Sequence, residues 1–267
     1  MKNDLRTFRK WLFGSALSAV LLAMGAGVAP AAVVTWQPVS TIAGDSDVNN
    51  TGTLVASYTF CLTYAGTING VGFTVSLNNY VMASSWTLAG SGGNTLASSG
   101  PSAGQDLQIV DGVGSPSDPY QSLDFNYEVL LFSGVYPGNT SQMTFMLSGL
   151  TTDQDYLVEF WVNDSRLTGS TEFRSQTITS GSATSGVMDF NSTNSEGGLG
   201  QFVIGTFTAD AASQAFVIDG IAAPETVAVA QLNAIQVRAI PEPGSLALLV
   251  VGGVAVLTLA KRFRLRA

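Results

Sequence analysis

The segment Leu54–Tyr64 reads LVASYTFCLTY, and its side chains alternate between two kinds of position. One series of alternate positions is apolar or aromatic: Leu54, Ala56, Tyr58, Phe60, Leu62 and Tyr64. The intervening positions are mostly small or hydroxylated. Alternation with a period of two predicts a β-strand that buries one face.

Further segments of the same character follow along the chain. They are TINGVGFTVSL (67–77), QMTFML (142–147), DYLVEFWV (155–162), GQFVIGTFTAD (200–210), QAFVIDG (214–220) and LNAIQVRAI (232–240). The dipeptide Asn69-Gly70 predicts a hairpin turn. Residues 122–134 predict one short helix, and the Gly/Ser-rich stretches 89–104 and 180–200 predict long surface loops.

Many short strands with loops at both ends predict an all-β fold. We expect an antiparallel β-sandwich, with a jelly roll as the favoured topology. One domain over residues 32–240 is favoured over two small β domains divided near residues 89–104, since each half would have a small core.

Residues 1–31 have the pattern of a secretory signal peptide. Basic residues precede the apolar stretch 11–28, and Ala29 and Ala31 stand three and one positions before a cut ahead of Ala32. Signal peptidase recognises this arrangement. We expect the mature chain to begin at Ala32 in an exported compartment; the alternative is an uncleaved membrane anchor.

Residues 241–267 combine three features in a fixed order. The triplet Pro241-Glu242-Pro243 precedes the uncharged segment 244–260, and a basic cluster at 261–266 follows. The basic residues are Lys261, Arg262, Arg264 and Arg266. A segment of about 17 residues is just long enough for a membrane-spanning helix. Because basic residues stay on the cytoplasmic side, we expect the cluster to act as a membrane stop.

This order of features resembles the PEP-CTERM sorting signal of exported bacterial proteins. The resemblance implies that an exosortase-type membrane enzyme recognises the triplet and removes the tail. It also implies a host that makes exopolysaccharide. The protein would be anchored transiently in the cytoplasmic membrane and then lie in the cell envelope or outside the cell. The alternative is a permanent single-span anchor.

Phrases within residues 32–240 bear a second resemblance. GDSDVNNTGTLVASYTF, GLTTDQDYLVEFWVNDSR and LNAIQVR look like the exported β domain that often precedes such tails. The stretch Tyr156–Arg166 is also similar to strands of galactose-binding-like and malectin-like jelly rolls. This likeness implies a fold more than an activity.

The charge distribution excludes one class of partner. Residues 32–240 contain seventeen acidic residues and three arginines, a net charge of −14, whereas the whole chain has −8. Nucleic-acid binding depends on Lys and Arg that neutralise phosphates, so we expect no nucleic-acid partner.

Composition also limits the chemistry. The chain has one cysteine, Cys61, and no histidine. This excludes an intramolecular disulfide, a Cys/His zinc site and a histidine-based catalytic triad. We expect no enzymatic activity; the alternative is a carbohydrate-active enzyme with paired carboxylates, which the many acidic residues would allow.

Two stretches are candidate binding sites. Asp45 and Asp47, followed by two asparagines, offer the oxygen ligands that calcium prefers, and an ordinary Asx turn is the alternative. The stretch WVNDSR offers Trp161, Asn163, Asp164 and Arg166 as a candidate polysaccharide-binding loop. The structural alternative is that Arg166 pairs with an acid such as Asp164 or Glu172. We expect no cofactor other than a structural calcium.

Overall fold

Seventeen strands and one α-helix occur in the part of the chain that the structure describes. This computed structural model describes residues 31–60, 66–75, 85–99, 103–107, 118–137, 141–166, 174–193, 195, 197–222 and 228–241. The strands are β1 (Thr35–Trp36), β2 (Ser40–Thr41), β3 (Thr53–Thr59), β4 (Gly66–Ile68), β5 (Val71–Val75), β6 (Ser85–Ala89), β7 (Thr95–Ser99), β8 (Ala103–Leu107), β9 (Ser133–Pro137), β10 (Gln142–Ser148), β11 (Asp155–Val162), β12 (Ser175–Ser180), β13 (Ala183–Thr184), β14 (Met188–Asp189), β15 (Gln201–Thr208), β16 (Ser213–Ile221) and β17 (Ala234–Ile240). The helix α1 spans Phe125–Leu131, and two short 3-10 turns span Asp45–Asp47 and Ser91–Gly93.

These strands form two large sheets and one small sheet. The larger sheet has the order β1-β15-β11-β17-β3-β5-β4, with β2 beside β15. The smaller of the two large sheets has the order β13-β12-β16-β10-β7-β6, with β14 beside β12, and β8 pairs with β9 separately. The larger sheet combines strands from both sides of residues 89–104, β3 to β5 before them and β11, β15 and β17 after them.

The first core lies between the two large sheets. Phe160 of β11 meets Phe216 of β16 with ring centroids 5.4 Å apart. Phe145 of β10 is also fully buried in this core. Burying one such aromatic side chain contributes roughly 1.5–3 kcal/mol, so this cluster holds the two sheets together.

A second core lies on the outer face of the larger sheet. Helix α1 and the hairpin β4–β5 cover that face, and they bury Leu131, Phe73 and Trp161. The rings of Phe73 and Trp161 meet edge to face at 5.7 Å. The central strand β11 is therefore buried on both faces from Tyr156 to Val162.

Several sequence predictions are confirmed by this architecture. The fold is an all-β sandwich with a single α-helix in the described part of the chain, and that helix falls within residues 122–134. The predicted hairpin joins β4 to β5, with Ile68 opposite Val71. Its turn residues Asn69 and Gly70 have φ values of 48° and 76°, which the Asn-Gly pair adopts readily.

Three predictions about burial and loops were wrong. The strand β3 is covered on both faces, because Ser57 Oγ donates to the Gly72 carbonyl and Thr59 Oγ1 to the Leu130 carbonyl. Residues 89–104 contain β7, whose Leu96 is fully buried. Residues 180–200 include the fully buried Met188 and Phe190. In each case tertiary neighbours cover residues that the local composition marks as surface.

One strand pair departs from the antiparallel prediction. The strands β3 and β5 run parallel, with Tyr58 opposite Thr74. The connection between them passes through the antiparallel hairpin strand β4, so the hairpin is attached to the sheet by its second strand.

Several predicted features lie outside the described residues. They are residues 1–30 of the predicted signal peptide 1–31, including Ala29, together with Cys61, Glu242, Pro243, the segment 244–260 and the basic residues Lys261, Arg262, Arg264 and Arg266. Within the described ranges, the structure contains no helix with the length and apolar character needed to span a bilayer.

Candidate functional site

A carboxyl group is buried on the same face of the larger sheet as the second core. Glu159 is on the outer face of β11, where it is 0% exposed and stands opposite Gln236 of β17. Its Oε2 accepts hydrogen bonds from Gln236 Nε2 at 2.5 Å and from the Asn49 backbone N–H at 3.2 Å. The charged position within the apolar run DYLVEFWV is thus an internal polar contact between two strands and a loop.

Burial controls the ionisation of this acid. It raises the pKa of Glu159 to about 8, and the negative Asp47 adds to that effect. Hydrogen bonds from Gln236 and Asn49, together with the positive Arg238, lower the pKa only in part. Glu159 is therefore mostly a neutral carboxylic acid at pH 7. Its Oε1 and the buried Gln236 Oε1 have no hydrogen-bond partner among the described residues.

Asp47 is connected to Trp161 through a tyrosine of α1. Asp47 Oδ2 accepts from the backbone N–H groups of Ala43 at 2.6 Å and Gly44 at 2.9 Å. The Tyr127 hydroxyl donates to the same oxygen at 3.3 Å and accepts from Trp161 Nε1 at 3.3 Å. Burial, reinforced by the negative Asp47, raises the pKa of Tyr127 well above its ordinary value. Asp47 of the predicted calcium site and Trp161 of the predicted polysaccharide-binding loop thus belong to one hydrogen-bond network.

The carbonyl groups after the Asp45–Asp47 turn are held by an arginine. Arg238 of β17 donates from Nε to the Thr51 carbonyl at 2.7 Å. Its Nη2 donates to the carbonyls of Asn50 at 3.0 Å and Gly52 at 2.7 Å. Loop carbonyls of this kind are common calcium ligands, and here a guanidinium satisfies them. Burial lowers the pKa of Arg238, whereas the nearby Glu159 raises it.

Asp45 and Asp47 are the predicted calcium ligands, and both lie in the described part of the chain. No cluster of three or more His, Cys, Asp or Glu side chains lies there in a position to hold a metal ion. Because calcium also uses amide and carbonyl oxygens, the calcium site at these residues stays a prediction.

The stretch WVNDSR is an interior element rather than an open loop. Trp161 and Asn163 are 0% exposed, so neither presents a surface to a sugar in this structure. Asn163 Oδ1 accepts from the Tyr120 hydroxyl at 2.7 Å, and the same hydroxyl accepts from the Gly200 N–H at 2.6 Å. Burial is the main cause that raises the pKa of Tyr120 above its ordinary value.

Asp164 holds the C-terminal end of this stretch in place through an ion pair. It is 1% exposed. It accepts from Arg166 through both oxygens, with Nε and Nη2 each at 2.8 Å, and Arg174 Nη1 lies 3.9 Å away. The structural alternative for Arg166 is thus present as a bidentate ion pair. Arg166 retains an exposed fraction of 25%, so it is the residue of WVNDSR that a ligand could reach.

Sequence reasoning missed the residues that connect these stretches: Tyr120, Tyr127, Glu159, Gln236 and Arg238. One signal was available, because Glu159 interrupts an apolar strand and acids are rarely buried without a specific role. The tyrosines gave no signal, since their partners are distant in sequence.

The predicted processing positions lie at one end of the sandwich. Ala32 is buried, and its N–H donates to Gln214 Oε1 at 3.0 Å. Val33 and Ile240 line the same shallow cavity of about 360 Å³. Pro241, the first residue of the triplet, is exposed directly after the last residue of β17.

Comparisons with known proteins assign no family to the chain. No protein-family model matches it. No curated protein matches it either. Among solved structures it is similar to the ANX1 ectodomain from Arabidopsis thaliana, with 11% identity, a TM-score of 0.43 and coverage of 71% of this chain and 42% of that one. The ANXUR2 extracellular domain from the same plant matches with 10% identity, a TM-score of 0.41 and coverage of 70% and 41%. The chain spans less than half of the length of either protein.

Proposed function

We propose that this protein is an exported, non-enzymatic surface or extracellular-matrix protein of a bacterial envelope. Signal peptidase removes residues 1–31, and the segment 244–260 holds the chain transiently in the cytoplasmic membrane. An exosortase-type enzyme then reads Pro241-Glu242-Pro243 and removes the tail. The released domain, a sandwich of the jelly-roll type, has a structural or adhesive role with exopolysaccharide as its partner.

The observation that carries the proposal is the position where the fold ends. The strand β17 is paired up to Ile240, opposite Asp155 of β11. Pro241 follows at once and is exposed. Two prolines within three residues cannot extend a sheet ladder, so the sheet ends at Ile240 and leaves Pro241 accessible. Folded domain and processing signal are thus directly adjacent.

The start of the domain supports an N-terminal cut ahead of Ala32. Ala32 and Val34 are buried in the first core. Gln214 Nε2 donates to the Ala32 carbonyl at 2.7 Å in return for the bond it receives from the Ala32 N–H. A cut much further along the chain would remove these contacts, whereas a cut before Ala32 preserves them.

An extracellular partner would meet a strongly acidic surface. Residues 32–240 contain three arginines and seventeen acidic residues. At WVNDSR, Arg166 is partly exposed while Trp161 is buried. We therefore propose that polysaccharide contacts use hydroxyl and charged groups of loops rather than a Trp161 platform.

Replacement of Pro241, Glu242 and Pro243 by alanine tests the sorting role. We expect the variant to keep its tail in host cells and the natural protein to lose it, because the enzyme reads the triplet. Intact mass of both proteins gives the two cut sites directly. The variant Gln121→Ala, at an exposed turn far from the tail, is the control and should be processed normally.

Two results would contradict the sorting role. Equal tail loss in the natural and the triple-alanine proteins would indicate a general protease. Retention of the tail in both would indicate a permanent membrane anchor.

A further inference from the structure

The paired part of the fold extends to Ile240, the residue directly before the triplet. Ile240 lies opposite Asp155, and Ala239 lies opposite Thr53, so the last residues of β17 are paired on both sides. The Ile240 carbonyl also accepts a hydrogen bond from Gln154 Nε2 at 2.5 Å. No flexible linker therefore separates the folded domain from Pro241.

This leaves little space between the domain and the membrane. An extended residue spans at most about 3.6 Å, so the three residues of the triplet reach about 10 Å beyond the sheet. The apolar segment begins at Gly244. The active site of an enzyme that binds the triplet must therefore lie within about 10 Å of the edge of the sheet.

The N-terminal end of the domain leaves from the same place. Val33 and Ile240 line one cavity, which Asp155 and Thr208 also border. Ala32 is bonded to Gln214, which is the second residue of β16. The turn 209–212 connects that strand to Thr208 of β15, which lies opposite Asp155. Val33 and Ile240, the described residues close to the two predicted cut sites, therefore lie at one end of the sandwich.

We propose that this tail-side end is the docking surface for the membrane-embedded enzyme that removes the tail. The tail-side end comprises Val33, residues 151–155, residues 208–213 and Ile240–Pro241. The inference rests on the proposed sorting function. The enzyme contacts the folded domain as well as the triplet, because both lie within its reach.

The charges at the tail-side end predict the charge of the enzyme surface that faces it. Asp153 and Asp210 are exposed there. Of the three arginines in the described chain, Arg166 and Arg174 lie by Asp164 beyond the other end of β11, and Arg238 is 6% exposed. The facing surface of the enzyme is therefore expected to carry neutral or basic groups, which complement the carboxylates.

The opposite end provides a matched control. Ser122 is exposed and close to Tyr120, whose hydroxyl bonds Asn163 after the end of β11 and Gly200 before the start of β15. Thr152 is exposed in the turn before β11. Eight-residue strands separate the two positions. At about 3.3 Å per residue this distance is more than 20 Å.

The experiment compares Thr152→Cys with Ser122→Cys in the full-length precursor, both on a Cys61→Ser background. Each purified precursor is labelled with a bulky maleimide polymer and mixed with host membranes, and tail removal is followed by intact mass. We expect the label at position 152 to slow removal at least tenfold and the label at 122 to leave it within twofold. A Gly-Ser spacer of about ten residues before Pro241, with a mean length of roughly 18 Å, should restore the rate. Equal melting temperatures of the labelled proteins check that both fold.

The outcomes separate the two proposals. Equal rates for the two labels, or slow removal at 152 that the spacer does not relieve, would overturn the docking surface alone. Tail loss from the triple-alanine precursor at the natural rate in the same membranes would overturn the sorting function itself.

Discussion

At the scale of single residues, Glu159 makes the free energy of unfolding depend on pH. Its folded pKa is about 8, against 4.5 for the free side chain, because burial disfavours the charged carboxylate. The folded protein therefore keeps a proton that the unfolded chain has already released between these two pH values. The contribution of Glu159 to stability consequently falls as pH rises from about 4.5 to about 8 and levels off above that range.

The variant Glu159→Gln should remove this dependence. A glutamine keeps an oxygen acceptor for Gln236 and Asn49 but has no proton to lose. We expect the free energy of unfolding of the natural protein, relative to the variant, to fall by about 1.4 kcal/mol per pH unit across the window. Urea unfolding at several pH values measures it, with Asp210→Asn as an exposed control. Parallel pH profiles for the natural protein and Glu159→Gln would contradict the raised pKa.

At the scale of elements, two glycines with positive φ serve different purposes. Gly70, in the β4–β5 turn, has φ of 76° and open space where a side chain would stand. Gly52 precedes β3 and has φ of 81°, and a Cβ there would collide with the Ala239 carbonyl of β17. The first is required by backbone conformation alone, and the second also by its close approach to β17.

Alanine at each glycine separates these effects. Gly70→Ala should cost about 1–2 kcal/mol for the left-handed conformation. Gly52→Ala should cost clearly more, because β17 is paired on both sides and cannot move away. Urea unfolding of the two variants gives the comparison. Equal losses would mean that the β3–β17 contact yields easily.

At the scale of the whole molecule, self-repulsion opposes the fold. The formal net charge of −14 over residues 32–240, one unit smaller in magnitude with Glu159 neutral, destabilises the compact state, and salt screens that repulsion. We expect the melting temperature to rise with sodium chloride. This general effect must be separated from any specific cation at Asp45 and Asp47.

The calcium prediction is tested against that background. A site filled to about 100 times its dissociation constant adds about 2.7 kcal/mol, a rise in melting temperature of roughly 5–11 °C for a domain of this size. We expect calcium to exceed sodium and magnesium at matched ionic strength, and Asp45→Asn to abolish the excess. Asp45 is the better residue to change, because Asp47 also bonds Ala43, Gly44 and Tyr127. A calcium shift equal to the sodium control would leave the carboxylates as a solubility feature.

Local patterns determined much of the architecture. Alternation in LVASYTF, QMTFML and QAFVIDG predicted strands, since side chains of a strand point to opposite faces. Asn69-Gly70 predicted the hairpin, since both residues tolerate positive φ. The pairing of Arg166 with Asp164 was also open to sequence reasoning, because the two residues are neighbours in the chain.

Only the tertiary structure decided which faces are covered. A period of two separates the faces of β3 and β11, but it does not show that the β4–β5 hairpin and α1 contact Ser57 and Thr59, or that the loop before β3 contacts Glu159. Trp161 became a core residue for the same reason. The strand order also places Val33 and Ile240 beside the same cavity. Contacts between residues about 200 positions apart follow from long-range pairing, which no local pattern encodes.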